Sequence, residues 1–299
     1  MDNGQEETDN GLTSMVSPLP KEIDSHEAER LVRAGEVRVL DVRTPREYAE
    51  LGHIPGAMLL PVDLIPSALA TLPNDGKPLL VYCEHGIRSA HAARFLVRAG
   101  LDPVLNLTGG MSSWVGPREH SAGSPFGALG PSSWLVENAD LIPRQGKALD
   151  LACGGGRHTF LLAAIGLKVR AVDRDGAKIA SIREMSKRLG FDLEAEVVDL
   201  EARDGVDLGA SIYDLILGIH YLHRPLFPAV LRALRPGGLL LYETFTVDQA
   251  QRGKPTNPAY LLEHGELPRL VAPLEILRDR DGEYDGKMVA SVAARKAVS

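Results

Sequence analysis

The chain has two cysteines, Cys83 and Cys153, and both stand at the same kind of place. Each closes a short apolar run, Pro78–Tyr82 in one case and Ala148–Ala152 in the other. Each is followed by glycine and then by a helical pattern. A run, a turn and a helix in that order form the repeating unit of a parallel sheet covered by helices. The turn lies at the carboxyl end of a strand, the edge where open α/β sheets bind ligands. The chain therefore reads as α/β, twice over.

The two readings are separated by a change in composition. Between Gly116 and Ser133 stand four Gly, three Pro and four Ser, a linker signature. The expected organisation of the 299 residues is a disordered acidic leader over 1–17, a first domain over 18–117, a linker over 118–131 and a second domain over 132–299. In the first domain Val37–Val42 and Pro78–Tyr82 predict strands, Arg46–Leu51 and Ser89–Ala99 helices. His91, Arg94 and Arg98 fall on the polar face of the second helix, and Gly100 ends it. In the second domain strands are predicted at Ala148–Ala152, Lys168–Asp173, Leu193–Asp199, Asp214–Gly218 and Gly238–Thr244, with a helix over Ala177–Leu189. Two last strands, Leu274–Arg278 and Met288–Ala294, are joined by a segment too short for a helical crossover and so predict an antiparallel pair.

Composition narrows the chemistry. A formal net charge of −7 argues against a nucleic-acid partner recognised by bulk positive charge. No apolar run reaches the roughly 18 residues of a membrane span. Two cysteines are too few for a disulfide framework and suggest a reducing, cytoplasmic setting. No metal site is expected. The partners expected are small molecules.

Cys83 begins the run Cys83-Glu84-His85-Gly86-Ile87-Arg88-Ser89. Backbone N–H groups in such a turn can curl around an anion, and the following helix adds its positive end. These surroundings favour a thiolate nucleophile. Gly86 permits the tight curl and Arg88 offers a forked donor, so Cys83, Gly86 and Arg88 are the expected catalytic set. Glu84 is unhelpful beside a thiolate unless it points away. The block resembles the rhodanese family in Leu40-Asp41-Val42-Arg43-Thr44, Glu47-Tyr48, Gly52-His53-Ile54-Pro55-Gly56-Ala57, the cysteine loop, and Leu107-Thr108-Gly109-Gly110 with Trp114. The resemblance implies that Cys83 accepts a sulfane sulfur as a persulfide and hands it on, with the loop amides holding the outer sulfur. It makes Arg88 and Arg43 substrate-side cations, Arg43 having a structural alternative, and it makes Asp41, His53 and Gly56 scaffold. The rival with this topology, a cysteine-dependent phosphatase, places one more residue between Cys and Arg than the four found here, and the shorter ring suits a single sulfur atom.

The second turn reads Asp150-Leu151-Ala152-Cys153-Gly154-Gly155-Gly156-Arg157-His158. A dinucleotide fingerprint counted from Gly154 would need glycine where Thr159 stands. The segment resembles class I S-adenosylmethionine (SAM) methyltransferases instead, in Asp150 with the glycine turn, in Asp173 and Asp199 at later strand ends, and in Leu234-Arg235-Pro236-Gly237-Gly238-Leu239. Ala152 occupies the family's usual first glycine. The resemblance implies a Rossmann-like seven-stranded sheet with an antiparallel last hairpin. It implies SAM as cofactor, bound by Asp150, Ala152, Cys153, Gly154, Gly156, Asp173, Asp199 and Leu200. Here Asp150 approaches the methionine amino group, Asp173 the ribose, and Asp199 the adenine. Acceptor-side candidates are His220, Tyr221, His223 and Glu243, the first two expected to be catalytic. Arg252–Pro258 reads either as a lid or as a solvated loop. The absence of Asn-Pro-Pro-Tyr after the fourth strand argues against methylation of nucleic-acid bases. A looser similarity to tellurite-resistance and small-thiol methyltransferases lies in Glu243-Thr244-Phe245-Thr246 and Asn257-Pro258. The expectation is a bifunctional enzyme with a small sulfur donor and a small methyl acceptor, its two sites tethered by the linker. The alternative is a methyltransferase whose first domain senses or carries sulfur.

Overall fold

The computed structural model describes residues 19–69, 71–72, 75–120 and 130–298; the expected leader and the middle of the expected linker lie outside the described residues. The first domain runs β1 (Lys21–Ile23), α1 (Ser25–Arg33), β2 (Arg38–Asp41), α2 (Pro45–Glu50), β3 (Met58–Leu59), α3 (Ile65–Ala68), β4 (Leu79–Tyr82), α4 (Ile87–Ala99) and β5 (Val104–Leu107). Its five strands are all parallel, in the order β1-β5-β4-β2-β3. Every residue of the central β4 is buried, because helices cover both faces; this is why it reads as an unbroken apolar run. Helix α2 starts where Thr44 and Glu47 form a capping box ahead of Pro45. Helix α4 starts at Ile87, two residues before the sequence prediction, because Gly86 takes the cap position at φ 84°.

The second domain runs α5 (Ser133–Glu137), β6 (Lys147–Leu151), α6 (Arg157–Ala164), β7 (Lys168–Asp173), α7 (Gly176–Leu189), β8 (Leu193–Val197), β9 (Tyr213–Ile219), α8 (Phe227–Ala233), β10 (Leu234–Phe245), α9 (Glu266–Leu270), β11 (Glu275–Tyr284) and β12 (Lys287–Arg295). The sheet order is β11-β12-β10-β9-β6-β7-β8, with β12 alone running against its neighbours. The strand order reverses between β6 and β9, and the crevice at their carboxyl ends is the expected ligand position. The final hairpin is longer than predicted. Asp279–Tyr284 continues β11, and the connection shrinks to Asp285-Gly286, both at positive φ, which suits a two-residue hairpin turn. The turn expected over Leu234–Leu239 is an irregularity inside β10, where the register shifts between Leu234 and Leu239.

The domains are packed together and not merely tethered. Helix α3 lies on α6 and α4 on α7, and one buried apolar cluster runs through Leu69, Leu72, Ala99 and Leu101 into Phe160, Ile179 and Ile182. A fully buried side chain of this kind contributes about 1.5–3 kcal/mol. No helix among the described residues is long and apolar enough to cross a membrane.

Candidate functional site

The Cys83 loop closes on its own sulfur. The Gly86 amide donates to Cys83 Sγ at 3.2 Å and the Ser89 hydroxyl at 3.5 Å. Burial pushes the thiol up, but donation from the Ser89 hydroxyl and from the amides of Ser89, His85 and Gly86 outweighs it. The net shift is downward. The loop is braced from the turn after β5. Met111 N donates to Cys83 O at 2.9 Å and Ser112 N to Glu84 O at 3.0 Å. A Cβ at Gly110 would stand 2.3 Å from Cys83 O, which explains why the sequence has glycine there.

The charges around the loop are sorted into pairs. Arg43 is wholly buried. It donates to both oxygens of Asp41, to Gly52 O at 2.7 Å and to Glu84 Oε2 at 2.8 Å. Arg43 is therefore a scaffold cation and not a substrate-side one. Its second task is to draw the Glu84 carboxylate away from the thiol. Arg88 is more open, with its side chain 36% exposed, and it forks onto Glu47 at 2.5 and 3.0 Å. That pairing, outweighing partial burial, holds the Glu47 carboxyl down at about 2. Ser89 was not singled out from the sequence. A hydroxyl one helical turn after the loop glycine was the available signal.

In the second domain the structure gathers Ala152, Asp173, Asp199, Leu200 and Tyr221 around one cleft of 240 Å³. Cys153, Gly154 and Gly156 are not in its lining; they belong to the turn that continues from Ala152 into α6. Gly154 N donates to Asp173 Oδ2 at 2.8 Å and Gly156 N to Cys153 O at 3.0 Å. Ala152 sits at φ 51°, in the left-handed region where glycine is at ease. Asp150 lies under the turn, buried, and accepts from Thr159 Oγ1 at 2.6 Å; burial pushes its carboxyl up to about 7. Cys153 differs from Cys83. Burial and then the carboxylates of Asp150 and Asp173 push its thiol well above the ordinary range. The Tyr221 hydroxyl is buried with no hydrogen-bond partner among the described residues.

Of the acceptor-side candidates, His220 and Tyr221 stand beside the cleft's β9 edge and the other two do not serve as read. His220 has φ 58°, stacks on Phe245 with ring centroids 4.8 Å apart, and is pushed down to about 4 by burial and by Lys287 against the pull of Glu243. Glu243 is buried and fully engaged, accepting from Ser132 Oγ at 2.9 Å, Ser291 Oγ at 2.8 Å and Arg280 at 2.8 Å. It ties the segment entering the domain to the sheet and is no free base. His223 lines a different pocket with Pro225 and Arg232. In the Arg252–Pro258 stretch Arg252 pairs with Glu283, while Tyr260, just beyond it, reaches the cleft wall. Arg174 and Tyr260 on that wall, and Arg157 at the head of α6, were not singled out from the sequence.

Comparison with known proteins agrees with this division. Residues 24–116 match the family model for the rhodanese-like domain, and residues 148–238 that for a methyltransferase domain. A sulfurtransferase of Allochromatium vinosum is 42% identical over 98 residues, which is 32% of this chain and 90% of that protein. Rhodanese-like domain-containing protein 17 of Arabidopsis thaliana is 34% identical over 119 residues, 36% of this chain and 75% of that one. Among solved structures, TehB from Haemophilus influenzae superposes with a TM-score of 0.47 at 20% identity, covering 57% of this chain and 64% of that one.

Proposed function

We propose, from a chain that belongs to the rhodanese-like sulfurtransferases through its first domain and carries a methyltransferase domain in its second, that it moves sulfane sulfur through Cys83 and methyl groups from SAM to a small chalcogen acceptor. The observation that carries the first half is the closed ring of donors on Cys83 Sγ with Glu84 held off by Arg43. The thiolate attacks the outer sulfur of a sulfane donor. The rest of the donor leaves with the electron pair of the broken S–S bond, and the new persulfide carries its negative charge into the amides of residues 85–89. A nucleophile then takes that sulfur and returns Cys83 as thiolate.

The residues of the second cleft fit SAM. Carboxylates stand at the end of β7 (Asp173) and just beyond β8 (Asp199), the turn from β6 into α6 is built of small residues, and the buried Tyr221 hydroxyl lacks a partner among the described residues. When bound, SAM supplies a methyl group on a cationic sulfur. The chain's own part is to hold donor and acceptor in line and to keep water out. His220, held neutral, is a poor base for a hydroxyl acceptor and suits one that is already ionised or soft.

The pairing of Arg88 with Glu47 favours a second reading, in which the first domain holds a persulfide without fast turnover. Two measurements test the proposal. Labelled SAM offered with sulfide, small thiols and chalcogen oxyanions should label at least one of them; labelling of none would reject the acceptor class. Steady-state transfer from thiosulfate to cyanide separates enzyme from carrier, since a carrier forms the persulfide once and then stalls.

A further inference from the structure

Arg157 opens α6 directly after Gly156 and is half-buried. Among the described residues its side chain makes no hydrogen bond and no ion pair. Other enclosed arginines of the domain are matched: Arg170 with Glu196, Arg224 with Glu266, Arg280 with Glu243 and Glu137. A guanidinium half withdrawn from water without a partner is costly, so an unmatched one at the head of the helix that follows the glycine turn calls for an anion from outside the chain.

Its surroundings locate that anion. Ser132 ties the residue after Arg157 to the sheet, its N–H donating to His158 Nε2 at 3.0 Å and its hydroxyl to Glu243 Oε1 of β10 at 2.9 Å. The same carboxylate stands 3.8 Å from His220 Nε2 just past β9. The charge of Arg157 acts on Asp150 of β6, on Glu243 and on His220. Neither carboxylate is free to neutralise it. Glu243 is taken by Ser132, Ser291 and Arg280, and Asp150 is buried under Thr159. The His220 ring lies flat on Phe245, and its main-chain N–H is tied to Glu243 O at 2.7 Å, which fixes the ring's approach. Facing it are Arg157 from α6, Lys287 from β12, Glu243 from β10 and Asp285 from the last turn. The balance keeps the imidazole uncharged, which leaves the cations Arg157 and Lys287 to supply the recognised charge, Arg157 being the one that heads the helix after the glycine turn.

We infer that Arg157 determines acceptor specificity, holding the charge of an anionic, soft nucleophile such as a hydrosulfide or thiolate while the His220 and Phe245 rings form the uncharged wall. This rests on reading the second domain as a methyltransferase for small acceptors. In the transfer the acceptor's lone pair forms the new bond to the methyl carbon, and the electrons of the breaking C–S bond return to the donor sulfur. The cationic donor becomes a neutral thioether and the anionic acceptor a neutral methyl compound, so no proton has to move.

The test uses the full chain, with sulfide and 2-mercaptoethanol as acceptors, and measures acceptor KM together with SAM affinity by calorimetry. Arg157→Gln should raise acceptor KM tenfold or more while SAM affinity stays within twofold, and Arg157→Lys should recover most of the loss. Weakened SAM binding with an unchanged acceptor KM would show instead that Arg157 holds the donor's carboxylate, and would overturn the inference. If the variants fail to fold, the wild type decides. Inhibition by thiocyanate that competes with the acceptor supports the assignment, and inhibition that does not compete, or none, refutes it. Methylation of neutral amines alone would also refute it while leaving the methyltransferase intact. Absence of SAM binding would overturn the reading beneath it.

Discussion

Cys83 and Cys153 occupy equivalent places in two α/β domains, each at the end of a strand and ahead of a glycine turn, yet their thiols are shifted in opposite directions. Both are buried, so burial is not the difference. Around Cys83 the hydroxyl of Ser89 and three amides point at the sulfur, and the one nearby carboxylate is tied to Arg43. Around Cys153 two carboxylates, Asp150 and Asp173, add to burial, and the thiol's own contact is the distant Gly154 O at 3.8 Å. Position at a strand's carboxyl end therefore creates the opportunity for a ligand. The sign of what points at the sulfur decides whether that ligand is handled by a nucleophile or by a cradle.

The contrast can be broken in several ways. The largest expected effect is that of Cys83→Ser, which should lower thiosulfate:cyanide transfer by more than about 10³-fold. Cys153→Ser should leave the same assay unchanged; equal losses would erase the distinction. Next, Arg43→Met should make Cys83 resemble Cys153 by leaving Asp41 and Glu84 unpaired. Urea unfolding should register a loss of about 3–5 kcal/mol, and alkylation of Cys83 should demand a higher pH. Ser89→Ala is gentler. Because the thiolate persists above its pKa, removing a donor to sulfur raises that pKa. The alkylation profile should then move to higher pH, slowing the reaction at pH 7 by about three- to tenfold. The smallest effect belongs to the cradle. Ala152→Gly relieves a left-handed alanine and should stabilise the chain by about 0.5–1 kcal/mol in thermal unfolding, with SAM binding retained.

Much of this was legible in the sequence. The alternation of apolar runs and helical patterns gave the two sheets, and the short segment before Met288 gave the antiparallel end. Cys83 and Gly86 are near neighbours along one short motif, while the group Ala152, Asp173, Asp199 and Tyr221 sits at successive strand ends and is assembled from the resemblance to class I methyltransferases. The remainder depends on partners far apart in the chain. That Glu84 turns from Cys83 requires Arg43 just past β2, and that Glu243 is spent requires Ser132, Arg280 and Ser291. That the Arg157 side chain has no hydrogen bond or ion pair among the described residues is likewise settled by distant parts of the chain, which no local pattern records. The apolar seam between the domains belongs to the same class, since the helices predicted over Ser89–Ala99 and Ala177–Leu189 each read as packing on their own domain.

The most direct measurement is peptide mass spectrometry of the intact protein after brief exposure to thiosulfate or polysulfide, without reductant. One added sulfur on the peptide containing Cys83, and none on the peptide containing Cys153, is the expected result. Added sulfur on Cys153, or on neither cysteine, would contradict the account.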